Sequence, residues 1–288
     1  MFLTPHLRRC VRACGVIALA PVLYIFSIRL ARNEHTVPRA KVTEIVTFSD
    51  FNYAPLASQW YLGLHALGYR EQVILATDEK AYHIFRNKGY NVEIVPADRG
   101  RLWETRLEVL KRRIESGSNV LVSDVDILFK RFIPLSYFER TGAHVIFSQG
   151  TTWPPGVFRA QGFVVCMGLS WWSGTKVAND FLSRVLAICK NRTRCDDQET
   201  VNNLILNDHV IWYPSNEMHI SKFGFSNLSG ILINLLNTDF VWRDKTGATP
   251  CPDPQKIWAV HPLAAKVPQE KIKTIELWKE KCGTVEST

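Results

Sequence analysis

From Val42 onward the apolar positions follow two periods in alternation. "EIVTFS" is a short apolar-leaning run of strand length, and "APLASQWYLGLHALG" then places Leu56, Trp60, Leu64 and Leu67 on one helical face, with Gly68 as a stop. "QVILAT" reads as a second strand. Asp78 can cap the helix "EKAYHIFRNK", which Gly89 ends. "NVEIVP" is a third strand, "LWETRLEVLKRRIES" a helix with Leu107, Leu110 and Ile114 inward, and "NVLVSD" the next strand. "HVIFSQ" and "GFVVCMG" are two more strands around the Pro-rich "TTWPPG", and "TKVANDFLSRVLAIC" and "DDQETVNNLILN" are helices. Residues 210–288 read as loop-rich, with "KIWAVHP" strand-like and "PQEKIKTIELWKEKC" helical. Strands and helices that alternate across short loops predict an α/β fold, with a mostly parallel sheet flanked by helices on both faces. Its strands are apolar throughout because both faces are covered.

"NVLVSDVDILF" interrupts this pattern. A buried strand ends on two carboxylates one residue apart, Asp124 and Asp126, at the end of a strand where open α/β sheets bind ligands. Carboxylates are rarely buried without a partner. Two at this spacing can chelate one hard divalent cation. Like charges so close also predict that neutralising one relieves repulsion in the metal-free protein. Two enzyme classes place D-x-D here. A phosphohydrolase with a covalent Asp nucleophile wants Thr or Val two residues after the second Asp, where Leu128 stands, and wants the motif on its first strand. A nucleotide-sugar glycosyltransferase, in which metal clamps the donor diphosphate, has neither requirement.

The 288 residues suffice for one sizeable core. The net charge of +8 suggests anionic partners, but Lys and Arg are dispersed without the basic-aromatic pattern of a nucleic-acid surface, so no nucleic-acid partner is expected. Arg8, Arg9 and Arg12 precede an uncharged run from Ala13 to Ile28, closed by Arg29 and Arg32. The run is shorter than the ~20 residues of a usual spanning helix, and flanking arginines can extend it by snorkelling. "SIRLARNEH" offers a poor cleavage site for a signal peptide. The expectation is a single-pass type II Golgi membrane protein: residues 1–12 a cytoplasmic tail, 13–28 a transmembrane signal-anchor, 29–41 a stem and 42–288 a lumenal catalytic domain. Beyond the span lie five cysteines, an odd number; Cys189–Cys195 and Cys251–Cys282 are candidate bridges for an oxidising lumen, with the pairing left open. Asn191-Arg-Thr and Asn227-Leu-Ser are glycosylation sequons.

An ordered set of pieces carries a resemblance: "VTFSDFNY", "TRLEVLKRRIESGSNVLVSDVDILFKRF", "QGFVV", "DDQETVNNLI" and "WAVHP…KIKTIELW". From about Thr43 to Trp278 the chain resembles the nucleotide-diphospho-sugar transferases that include plant pectin α-xylosyltransferases (glycosyltransferase family 77), related in turn to the glycogenin-like retaining transferases. The resemblance implies a GT-A-type fold, Mn²⁺ (or Mg²⁺), a nucleotide-sugar donor of the UDP-linked kind, a glycan or glycoprotein acceptor, and retention at the anomeric carbon. It places Asp124, Asp126 and His261 on the metal, and Thr47, Tyr53 and Arg106 at the donor. Lys266 or Lys271 falls to the diphosphate, and Asp197-Gln198 to catalytic contact with the donor sugar or acceptor. The family often carries Asn and Gly after its histidine, where Leu263 and Val267 stand here, and Asn where Gln161 precedes Gly162. Asp196 and Glu199 also form the pattern of a capping box. A non-catalytic lumenal protein that kept the fold and binds sugar or nucleotide is the alternative from another class.

Overall fold

A computed structural model describes residues 43–243, 251, 253, 255–262 and 267–282. The central feature is a nine-stranded sheet in the order β3-β2-β1-β4-β7-β6-β10-β9-β8. Its strands are β1 (Glu44–Ser49), β2 (Gln72–Ala76), β3 (Val92–Ile94), β4 (Val120–Ser123), β6 (Val145–Gln149), β7 (Val165–Trp172), β8 (Ile211–Pro214), β9 (Ile220–Phe225) and β10 (Leu232–Leu236). The helices are α1 (Ala54–Ala66), α2 (Glu79–Asn87), α3 (Leu102–Glu115), α4 (Ser136–Arg140), α5 (Pro155–Gln161), α6 (Lys176–Lys190), α7 (Asp197–Asn207) and α8 (Pro268–Cys282).

Alternate residues of each central strand feed two cores. Ile45, Ile74, Leu121, Ile146 and Trp171 pack on one face with Leu56, Trp60 and Leu64 of α1. Val46, Val73, Val120, Val122 and Trp172 pack on the other with Leu107, Leu110 and Ile114 of α3 and with the apolar stripe of α6. Both faces are therefore dry, which accounts for the unbroken apolar runs. The Asp78 carboxylate accepts from the backbone N–H of Ala81 at 2.8 Å and caps α2 as expected.

The sheet is mixed rather than mostly parallel. β3, β2, β1 and β4 run parallel, but β7 lies antiparallel between β4 and β6, and β9 is antiparallel to both β10 and β8. Hydrophobic period marks a strand without giving its direction. The linker between β6 and β7 holds only α5, a shorter crossover than a parallel return usually takes. The segment read as loop-rich holds β8, β9 and β10; the edge strand β8 and its neighbour β9 are half-exposed and lack a continuous apolar run.

A second, three-stranded sheet has the order β11-β12-β5, from β11 (Val241–Trp242), β12 (Ala259–Val260) and β5 (Leu128–Phe129). Both candidate disulfides form, Cys189–Cys195 between α6 and α7 and Cys251–Cys282 at the end of α8; Cys166 is free and buried. Among the described residues no helix is long and apolar enough to cross a membrane. The expected span from Ala13 to Ile28 lies outside the described residues, as does Lys266.

Candidate active site

The chain runs from β1 to β2 to β3 in one direction across the sheet and then returns to place β4 on the other side of β1. That reversal makes a crevice beyond the ends of β1 and β4, the place where open α/β sheets take ligands. The segment Ser49–Tyr53 leaves β1 there, and Asp124 follows directly on β4. After Ser123 the chain turns, with the N–H of Ile127 donating to the carbonyl of Asp124 at 3.2 Å. The chain leaves this turn with both carboxylates close together, as residues two apart would also be in a strand. It then enters β5, whose antiparallel register sets Leu128 opposite Val260. The next residue of the partner strand is His261, which therefore arrives beside Asp126. Candidate ligand atoms of Asp124, Asp126 and His261 all lie within 4.8 Å of one another.

The electrostatics of this cluster are tightly balanced. His261 Nε2 is 3.5 Å from Asp126 Oδ1 and 4.0 Å from Asp124 Oδ2. Lys271, on α8, donates to Asp126 Oδ2. Burial would raise the Asp126 carboxyl, but His261 and Lys271 hold it well below the usual carboxylate range. Burial and Arg243 push His261 down, yet Asp126 more than offsets them and the imidazole rises to about 9. Behind His261, Arg243 donates to Cys166 Sγ at 2.7 Å, and with His261 it draws the buried thiol down to about 6.

A divalent ion fits these residues. Asp126 Oδ1 and His261 Nδ1 are buried without a hydrogen-bond partner, and an orphaned carboxylate oxygen among two further ligand groups is a donor set for a hard cation. Close approach is enforced by Gly168 on β7. A Cβ there would sit 2.5 Å from Asp124 Oδ2 and 2.7 Å from His261 Cε1. Gly168→Ala is therefore expected to spread the two ligands and weaken Mn²⁺ binding at least ~10-fold, a loss of about 1.4 kcal/mol. Titration by manganese electron paramagnetic resonance would check this, and unchanged affinity would count against the cluster as a metal site.

Arg106 forms the second half of the site. It is buried on α3, donates to Asp124 Oδ1 at 3.1 Å and to the Met167 carbonyl at 2.5 Å, and its Nε stands 3.6 Å from Asp197 Oδ2. Asp197 begins α7. Burial drives its carboxyl up to about 6, although Arg106 opposes this. Asp196 accepts from the N–H of Glu199 at 2.8 Å, one half of the capping box; the Glu199 carboxylate lies 3.7 Å from Arg192. Gln198 donates to the carbonyl of Trp153 at 3.0 Å.

Two cavities meet over Trp103, Arg106 and Asp124. The smaller, about 340 Å³, extends toward Asp50, Tyr53 and Lys271. The larger, about 680 Å³, extends toward Trp153 and the start of α7 at Asp196–Glu199. Of the residues named from sequence, Tyr53, Arg106, Asp124, Asp126, Asp197, Gln198, His261 and Lys271 gather around this crevice. Thr47 does not: it is fully buried within β1, and the crevice is lined instead by Phe48, Ser49 and Asp50. Trp103, Trp153, Gly168 and Arg243 were missed. A glycine inside an apolar strand run was a usable signal for Gly168. The two tryptophans carry no local signature that separates them from core aromatics.

The sequence pattern of the nucleotide-diphospho-sugar transferases matches residues 69–271. The chain belongs to that family. Among solved structures, this chain is similar to the WbbM bifunctional glycosyltransferase, at 12% identity and TM-score 0.52 over 86% of this chain and 53% of that one. It thus spans about half the length of WbbM. It is also similar to the galactosyltransferase LgtC in complex with donor and acceptor sugar analogs, at 14% identity and TM-score 0.46 over 84% of this chain and 98% of LgtC. A third is a glycosyltransferase involved in glycosylating the major capsid of PBCV-1, at 11% identity and TM-score 0.45 over 82% and 100%. No curated protein matches. The chain has the α/β, GT-A-like glycosyltransferase fold, with a mixed sheet and helices on both faces.

Proposed function

We propose that the protein is a metal-dependent, retaining glycosyltransferase that moves a sugar from a UDP-linked donor to a hydroxyl acceptor. The observation that carries the reading is the meeting of Asp124, Asp126 and His261 at the exit of β4, between two adjoining cavities. When bound there, Mn²⁺ or Mg²⁺ would act as a Lewis acid on the diphosphate. Lys271, cationic and tied to Asp126, borders the smaller cavity and would meet the charge that builds on the departing diphosphate. Tyr53, whose ring centroid is 5.8 Å from Lys271 Nζ, would border the nucleoside. Arg106 would keep Asp124 turned toward the site. Asp197, ionised above about pH 6, would place negative charge beside a sugar carbon that becomes positive as the bond breaks.

The narrower likeness to pectin xylosyltransferases rests on the ordered motifs, and a type II Golgi topology on the run from Ala13 to Ile28. The two disulfides and the exposed Asn191 and Asn227 support an oxidising, glycosylating compartment. Purified protein screened against nucleotide-sugars with Mn²⁺ tests the reading. Metal-dependent release of UDP is the expected result. Donor binding without turnover would point to a non-catalytic protein of the same fold, and a phosphorylated Asp124 to a phosphohydrolase.

A pH dependence follows from His261. Its pKa is raised to about 9 in the metal-free protein, and a metal ligand must be neutral. Mn²⁺ binding at pH 7 is therefore expected to expel about one proton, and apparent affinity should climb roughly tenfold per pH unit before levelling near pH 9. Calorimetry in two buffers of different ionisation enthalpy measures the proton count. A count of zero at pH 7 would remove His261 from the ligand set.

A further inference from the structure

We propose that the larger cavity is the acceptor subsite and that it takes a neutral saccharide laid against Trp103 and Trp153. The inference rests on the transferase reading, because the cavity adjoins the metal cluster through Asp124. A donor whose diphosphate sits at Asp124 and Asp126 has its nucleoside in the smaller lobe, beside Tyr53 and Lys271. The volume of about 680 Å³ on the other side of Arg106 is more than the transferred sugar needs.

The lining is suited to a sugar. Trp103 and Trp153 keep 39% and 50% of their surface exposed, a large apolar exposure at a concave site. A pyranose has one face of C–H groups, which can cover an indole, and their partial positive charge suits the negative face of the ring. Both tryptophans are held. The Trp103 ring centroid lies 5.6 Å from the guanidinium carbon of Arg106, and the Trp153 carbonyl accepts from Gln198. That bond uses the amide N–H of Gln198 and leaves its carbonyl oxygen as an acceptor for a sugar hydroxyl.

The charge of the lining decides the class of sugar. Apart from Asp124, which the metal would take, three carboxylates, Asp196, Asp197 and Glu199, face two guanidiniums, Arg106 and Arg194. Arg106 is already engaged by Asp124, Asp197 and the Met167 carbonyl. A uronic or sialic acid would bring its own negative charge to a wall that is already negative, whereas a neutral sugar finds acceptors for its hydroxyls.

The test uses methyl β-galactoside, methyl α-glucoside and methyl β-glucuronide as probes, with UDP and Mn²⁺ present. Binding is read by saturation-transfer NMR and by tryptophan fluorescence. The neutral glycosides are expected to bind at least ~10-fold more tightly than the glucuronide, with saturation concentrated on one C–H face. Trp153→Ala should weaken them about tenfold, and Trp153→Phe should restore most of the loss. Equal or tighter binding of the glucuronide, no binding of any glycoside, or less than about a twofold effect in a folded Trp153→Ala protein would overturn the proposal; the wild-type selectivity decides even if that variant does not fold. Failure of the wild type to bind UDP with Mn²⁺ would instead sink the transferase reading, so the two failures are told apart.

Discussion

Asp126→Asn is expected to lower turnover by at least ~100-fold and also to lower the melting temperature of the metal-free protein. The first effect follows from charge. The substitution keeps the shape of a buried ligand and removes one negative charge from the cation site. A catalytic metal supplies several kcal/mol of transition-state stabilisation, and each 1.36 kcal/mol is tenfold in rate. The second effect reverses what the bare D-x-D spacing predicts. Two adjacent carboxylates suggest mutual repulsion that a neutral residue would relieve. In the fold each carboxylate instead faces cations: Asp126 meets Lys271 and His261, and Asp124 meets Arg106. Without Asp126 a largely buried ammonium loses its partner. The cost should be roughly 2 kcal/mol, below the 3–5 typical of a fully buried pair, because His261 can shed its proton and the Lys271 side chain keeps 20% of its surface exposed.

Sign and pH window follow. The depressed carboxyl of Asp126 contributes stability that is present above its unfolded value of about 4 and is lost as pH falls. The raised imidazole of His261 contributes stability that is full below about 6.5 and is lost as pH rises through about 9. The deficit of the Asn variant should therefore be largest between these limits. Melting curves at pH 5, 7 and 10 with chelator, beside Mn²⁺ affinity and donor turnover, check both effects. Near-normal turnover in a folded Asn variant would end the metal-clamp role of Asp126.

How much of this was legible before folding depends on the range of each interaction. The D-x-D at a strand exit, the caps at Asp78 and Asp196 and the inward faces of α1 and α3 are local, so period and spacing reveal them. The partner of Asp126 is not local. His261 was named only through the family resemblance; it reaches Asp126 because β12, inside the strand-like "KIWAVHP", pairs antiparallel with β5, and a pairing of two strands of two residues each leaves no register signal in the sequence. Thr47 shows the opposite failure. It still lies within β1, where both faces are covered, and the crevice begins only at Phe48, a boundary that hydrophobic period does not mark. The reversed directions of β7 and β9 were hidden because apolar strands read alike in either direction.

Arg106→Ala should produce the largest loss of stability among the site residues, with a pH signature of its own. The guanidinium is buried between Asp124 and Asp197. Removing it takes the cation from Asp197 and leaves Asp124 with only His261 at 4.0 Å, and breaking a buried pair in this way typically costs about 3–5 kcal/mol. Arg106→Lys should recover little, because a single ammonium cannot reproduce the fork that reaches Asp124, Asp197 and the Met167 carbonyl together. Asp197 supplies the signature. Its folded pKa of about 6 already stands above the unfolded value of about 3.9, so the folded state holds the proton more tightly and stability falls as pH rises between the two. Without Arg106 the one cation that opposes burial is gone, and the folded pKa should climb further. The variant should then be only mildly destabilised near pH 4, where Asp197 is protonated in both proteins, and severely so at pH 8, where only the variant is forced to bury an unpaired charge or to take up a proton. Denaturant unfolding at pH 4.5 and pH 8 measures the difference. A pH-independent deficit would mean that Arg106 acts through packing and its bond to the Met167 carbonyl, and that Asp197 is not balanced by it.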